Sequence, residues 1–198
     1  IKFINSADNE FFKELVNLSR SSTYRRKKNK TLLDGKTLVR DYANKFSLKN
    51  IDLAMSHSFF SDNSERMDSK FSLARINVIP DKLFVKFSNQ SDLQGVTAVI
   101  FPYQIQEILL QPGRKERIIV VDGVQDPGNL GAVIRLAAGF NLDKIFLSNS
   151  CCDPWSPKCL RGGMGGQFSI PCVKSDIKSI VREFSGTKIA LVSTGGVK

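Results

Sequence analysis

The chain has 198 residues, 41% of them hydrophobic, with 29 Lys and Arg against 19 Asp and Glu and a formal net charge of +10. That apolar content supplies packed cores and excludes wholesale disorder, and no apolar run approaches the ~20 residues of a membrane-spanning helix. The charge lies in both halves, +6 over residues 1–105 and +4 over 106–198. Such a surface suits a polyanionic partner, nucleic acid being the commonest, or is a solvated face kept for solubility.

The first residue is Ile1 and no signal peptide is visible, so a fragment or processed form is expected, with any targeting segment upstream. The four cysteines, Cys151, Cys152, Cys159 and Cys172, all fall in the second half. They are too few for a disulfide scaffold in a chain of this length. No Cys-x-x-Cys pair exists and the single histidine, His57, is far away, so no metal site is expected. Reduced, partly buried thiols are expected instead.

In chain order, Ser6 is positioned to cap a helix over 7–19, with Asp8 and Glu10 in its first turn and Phe11, Leu15 and Leu18 at helical spacing. The run Arg20–Lys30 then holds six basic residues, no acid and Tyr24. It reads as a solvated loop or as a contact with RNA phosphates made by Arg25, Arg26, Lys27, Lys28 and Lys30, the second being favoured. A strand is expected over 31–34, a turn at Gly35 and an amphipathic helix over 36–47 marked by Leu38, Val39, Tyr42 and Phe46. Strands follow over 51–55, 75–79 and 95–101, with a polar loop over 61–72. This alternation describes a compact α/β domain over residues 1–105.

The turn-rich, charged segment Gln111-Pro-Gly-Arg-Lys-Glu116 marks a boundary, with a linker over 106–116. After it the pattern restarts. A strand buried on both faces is expected over 117–121, a helix over 130–140 with Val133, Leu136 and Ala137 on one face, and a strand over 144–147. A loop rich in Cys, Pro and Gly follows. A short strand over 170–173, a helix over 176–184 and a strand over 188–193 complete a second domain, residues 117–198. Strands alternating with helices imply a parallel sheet with right-handed crossovers.

The most informative stretch is Val121–Phe140, where a strand ends in Asp122-Gly-Val-Gln-Asp-Pro-Gly-Asn129 and leads directly into a helix. Open α/β sheets bind ligands at the carboxyl ends of their strands. Asn129 is expected at the helix N-cap, where free N–H groups can meet an anion. Arg135 is one charge on a helix otherwise lined by Leu, Ala, Val and Ile, and a lone Arg there calls for a carboxylate, a phosphate or a neighbouring subunit. Such turns are common, and spacing alone favours a plain βα turn with an Asn cap and an Arg reaching solvent. A dinucleotide fingerprint and a Walker loop are excluded, because neither Gly-x-Gly-x-x-Gly nor Gly-Lys-Ser/Thr occurs there.

The same stretch closely resembles the first motif of the SpoU branch of the SPOUT methyltransferases, Asp-x-x-x-(Asp/Asn)-Pro-Gly-Asn-x-Gly-x-x-x-Arg in a strand-turn-helix. The likeness continues in order along the chain. Asp153–Pro171 resembles the family's segment after its second strand, where a Lys and an Arg precede a run of small residues. Upstream, Thr31–Val39 and Gln94–Ile100 resemble the opening and closing strands of the family's accessory domain.

The resemblance implies an RNA ribose 2′-O-methyltransferase. Its fold would be an N-terminal ribosomal-protein-like RNA-binding α/β domain followed by a SPOUT domain, a trefoil-knotted α/β unit on a parallel sheet. It implies transfer of methyl from S-adenosyl-L-methionine to a ribose 2′-hydroxyl, with Asn129 and Arg135 at the active site. Arg135 is expected to grip a phosphate and stabilise developing charge, base action being the other possibility. Val192, Ser193, Thr194 and Gly195 match a family position near the cofactor, and a plain strand exit explains them as well.

Two further family motifs, a Gly-rich turn with a Glu and a Ser-Leu-Asn helix start, do not occur in these 198 residues. The SPOUT domain is therefore expected to be incomplete, and this segment alone inactive. Ribosomal RNA is favoured over transfer RNA as partner, with a homodimer for the full-length protein and no membrane or metal partner. Cytoplasm, mitochondrion and plastid stay open, the organelles slightly favoured. The alternative is an RNA-binding protein with a catalytically incomplete SPOUT-like domain.

Overall fold

The computed structural model describes residues 1–63, 71, 73–88, 94–102 and 117–190. Among them lie two sheets. The first has five strands, β1 (Lys2–Phe3), β2 (Thr31–Asp34), β3 (Asp52–Ser56), β4 (Arg75–Ile79) and β5 (Val96–Ile100), in the order β1-β4-β3-β5-β2. β1, β4 and β3 run parallel, while β5 is antiparallel to both β3 and β2. The second sheet has three parallel strands, β6 (Ile118–Val121), β7 (Lys144–Leu147) and β8 (Cys172–Lys174), in sequence order. The expected α/β class and parallel sheet are both present.

Each face of the first sheet carries its own core. On one, helix α1 (Glu10–Arg20) lays Phe12, Leu15 and Leu18 against Leu32, Ala54 and Val99. α1 starts three residues later than expected. Asn9 is its cap, accepting at Oδ1 from the N–H groups of Phe11 and Phe12, while Ser6 caps only the preceding turn through the N–H of Asp8. The basic run is neither loop nor extended. It folds as α2 (Ser22–Lys28), capped by Ser21 and closed by Asn29 in the left-handed conformation. Its four last-turn cations sit where the helix dipole favours them.

On the other face, α3 (Lys36–Lys45) buries Leu38, Val39 and Tyr42. It stops before the expected residue 47 because Phe46 turns extended and packs beside Tyr42 and Phe168. The helices α4 (His57–Asn63) and α5 (Asp81–Phe84) edge this sheet. α4 enters the stretch expected as a polar loop, of which residues 64–70 and 72 lie outside the described residues, as does the expected linker over 106–116.

Helix α6 (Pro127–Gly139) follows β6, α7 (Pro157–Gly162) and a 3-10 turn (Gly166–Phe168) precede β8, and α8 (Ile177–Glu183) follows it. β6 is an edge strand among the described residues, with Ile118, Ile119 and Val120 half-buried rather than covered on both faces. Of the residues expected on one face of this helix, Ala137 is buried and Leu136 is 60% exposed, while Ile134 is buried. Residues 188–190 are not in a strand, and the rest of the strand expected over 188–193 lies outside the described residues.

α6 and α7 meet backbone to backbone. A Cβ on Gly131 would lie 2.6 Å from the Gly163 nitrogen and 2.7 Å from the Cys159 carbonyl oxygen, and Gly162 faces the Gly128 backbone in the same way. Gly131→Ala therefore forces two helices apart rather than displacing a flexible side chain. It is expected to cost about 3 kcal/mol, read as a lower denaturant midpoint.

The two halves share a core. Trp155, Leu160 and Phe168 are buried with Leu38, Tyr42, Val96 and Ile100 of the first half, and Tyr42 meets Phe168 edge to face at 5.6 Å. Polar links run beside this apolar seam. Thr31 Oγ1 donates to the Trp155 carbonyl, Arg161 reaches Asp34 at 3.4 Å, and Lys45 donates to Ser169 Oγ.

Candidate active site

The carboxyl edge of the second sheet is built by two loops tied to each other. Ser148 Oγ after β7 accepts from the Gly123 N–H after β6 at 3.1 Å, and the Cys152 N–H donates to the Val124 carbonyl at 2.9 Å. Gly123 has φ 68, and among the described residues nothing stands within 4 Å of where a Cβ would project.

α6 begins one turn earlier than expected, and its cap is Asp126, not Asn129. Pro127 fixes the first helical residue and needs no donor, and it holds the residue before it extended. Asp126 accordingly has φ −77 and ψ 122, and its Oδ1 accepts from the Asn129 N–H at 2.9 Å. Its other oxygen accepts from Lys158 Nζ at 2.7 Å, which fastens the turn to α7. That bond to Lys158, with the Asn129 N–H next, holds the Asp126 carboxyl below the usual carboxylate range. Asn129 therefore stands inside the first turn, exposed, with its side chain free of protein partners among the described residues.

Arg135 is also exposed and makes no hydrogen bond or ion pair among the described residues. Six positions separate it from Asn129, about 9 Å along the axis and about 120° around it. The two do not meet at one atom: Asn129 faces the loop edge, and Arg135 faces a cleft of ≈ 390 Å³. That cleft lies between α3, which contributes Asp41, Asn44 and Lys45, and the turn 163–166. Sequence reasoning missed these α3 residues, because no local pattern links them to a helix some ninety positions on.

The basic run divides. Arg25 is 7% exposed, its Nε and Nη2 bonded to Asp153 Oδ2 at 2.8 and 2.7 Å and its Nη1 to the Leu18 carbonyl at 2.7 Å. A guanidinium so occupied has no free fork for a phosphate, which removes Arg25 from the expected RNA contacts. Lys30 is engaged by Glu14 at 2.8 Å. Arg26, Lys27 and Lys28 remain exposed on one helical turn. The expected cofactor residues Val192, Ser193, Thr194 and Gly195 lie outside the described residues. Burial pushes the Cys172 thiol up to about 12 and raises Cys159 too, so both stay neutral. As expected, all four cysteines are free thiols.

Residues 116–197 match the model of the SpoU rRNA Methylase family. The second half of the chain is similar to this family. Among curated relatives, the mitochondrial rRNA methyltransferase 3 of Xenopus laevis is 27% identical over 183 residues, covering 90% of this chain and 43% of the relative. The 23S rRNA (guanosine(2553)-2'-O)-methyltransferase of Bacillus subtilis is 32% identical over 110 residues, covering 54% of this chain and 44% of the relative. The chain thus spans less than half the length of these relatives. An AdoMet-bound rRNA methyltransferase from Sinorhizobium meliloti shares the fold with a TM-score of 0.71 at 22% identity, covering 91% of this chain and 67% of that one. The likeness spans both sheets of the chain, not the SpoU half alone. Within that half, the glycines that let α6 and α7 touch lie in the two segments that resemble the family's motifs.

Proposed function

We propose that the full-length protein transfers a methyl group from S-adenosyl-L-methionine to a ribose 2′-hydroxyl of ribosomal RNA. The observation that carries this is Arg135, an exposed guanidinium with no partner among the described residues, on the first-motif helix of the half that matches the SpoU family and opening onto a cleft. The relatives' names, rRNA methyltransferases and one 2′-O-methyltransferase, support the substrate class. The mitochondrial relatives support an organellar compartment.

In this reading residues 1–105 bind the RNA, residues 117–198 carry the methylase unit and 106–116 join them. The cofactor would supply an electrophilic methyl group, and Val192, Ser193, Thr194 and Gly195 are the residues assigned to hold it. Arg135 holds the phosphate next to the target ribose and stabilises the charge that grows as the hydroxyl loses its proton. Asn129, whose side chain has no partner among the described residues, orients the sugar. A homodimer fits the outer face of α6, where Leu136 and Phe140, 71% exposed, stand one turn apart beside Arg135. Incorporation of labelled methyl groups into ribosomal RNA by the purified full-length protein tests the reading. No incorporation would leave the chain an RNA-binding protein with an idle SPOUT-like half.

RNA contact is assigned to Arg26, Lys27 and Lys28. Changing all three to alanine is expected to flatten the salt dependence of RNA binding by about 2–3 units of slope, at 0.7–0.9 per phosphate. Filter binding across a salt series checks this, and an unchanged slope would make the α2 face a solvated surface only.

A further inference from the structure

We propose that the cleft between α3 and the SpoU half grips the RNA strand beside the target ribose, and that Lys45 is a positioning residue there, sharing a phosphate with Arg135. This rests on the methyltransferase reading above. The cleft, ≈ 390 Å³, falls within the ~300–1,000 Å³ of small-ligand sites and suits about one nucleotide. Its walls come from segments far apart in sequence: α3 on one side, α6 and the turn 163–166 on the other.

The charge pattern selects the ligand. Two exposed cations line the cleft, Lys45 and Arg135. Arg135 has no protein partner among the described residues, and Lys45 has a neutral one, Ser169 Oγ. The lining carboxylate, Asp41, lies 3.9 Å from Arg40 and forms no ion pair with either cation among the described residues. An ammonium held by a hydroxyl and a guanidinium held by nothing are completed by a phosphodiester, which accepts charge-assisted hydrogen bonds from both.

The wall opposite α3 is the turn 163–166, whose glycines are buried against Gln167, Phe168 and Ile134 and whose exposed side chain is Met164. Lys45 belongs to the half that carries the exposed basic turn of α2, and Arg135 to the SpoU half. One phosphate bridging them would fix the register between RNA bound on the first half and the reacting group on the second.

The test uses the full-length protein with Lys45→Met, which keeps the stem and removes the charge, and Lys45→Arg, which keeps the charge. With ribosomal RNA as substrate, Lys45→Met is expected to raise KM for RNA roughly tenfold with kcat within about twofold. It should also lower the salt slope of RNA binding by about 0.7–0.9, one phosphate. Lys45→Arg should keep both near wild type. Unchanged KM and slope in Lys45→Met, or a lower melting temperature with an unchanged slope, would overturn the proposal and leave Lys45 a structural tie to Ser169. Absence of methyl transfer by the wild-type protein would defeat the methyltransferase reading instead, while the slope would still decide the cleft.

Discussion

Arg135→Ala in the full-length protein lowers methyl transfer at least ~100-fold, the scale set by removing one preorganised electrostatic contact from a transition state. The side chain is exposed and bonds to nothing among the described residues, so its loss should leave folding untouched: the melting temperature stays at the wild-type value while turnover collapses. Cofactor affinity, measured by calorimetry, should change little, because Arg135 is not among the residues assigned to the cofactor. Arg135→Lys should also fail, since a single ammonium cannot present a planar fork to a phosphate. Near-normal turnover by Arg135→Ala would remove α6 from the active site.

The second large effect is on stability. Asp153→Ala strands the Arg25 guanidinium, 7% exposed, with the Leu18 carbonyl as its remaining bond. It also removes the acceptor of the Trp155 N–H. Taking one partner from a buried ion pair costs about 3–5 kcal/mol, because the other charge stays desolvated. The pair sits on the seam between the halves, so the loss should appear as a lower denaturant midpoint together with protease sensitivity around Trp155. Arg25→Ala should likewise lose stability, yet leave the salt slope of RNA binding unchanged, in contrast to Arg26, Lys27 and Lys28. A slope lowered by Arg25→Ala alone would return Arg25 to the RNA contacts.

These effects trace a boundary between what local sequence carries and what it does not. β2, β4 and β7 run as expected because short β-branched or apolar runs bounded by turns have few other solutions. The cap of α6 is legible in Asp126-Pro127, since proline at the first helical position sets the cap one residue earlier. The inward face of α6 was not legible. Leu130, Val133, Ile134, Leu136 and Ala137, with Ala132 and Ala138, wrap about two thirds of the helix, so periodicity sets its phase only weakly, and the partner α7 decides that Ile134 is buried and Leu136 is not.

The basic run shows the same limit more sharply. Six like charges in eleven residues read as uniformly solvated, and which one turns inward depends on helix phase and on Asp153, 128 positions away. The cleft depends on the packing of Tyr42 and Phe46 against Phe168, a contact between halves that no motif encodes. Chemistry carried by a contiguous motif was readable. Chemistry assembled across the seam between the halves was not.

The most direct measurement is the identity of the methylated product. The full-length protein is incubated with ribosomal RNA and labelled S-adenosyl-L-methionine, and the RNA is digested to nucleosides and resolved by mass spectrometry. The account predicts that the label appears as a 2′-O-methylated nucleoside, with the methyl retained on the ribose fragment, and that Arg135→Ala abolishes it. A label found on a base, or a ribose methylation that survives Arg135→Ala, would contradict it.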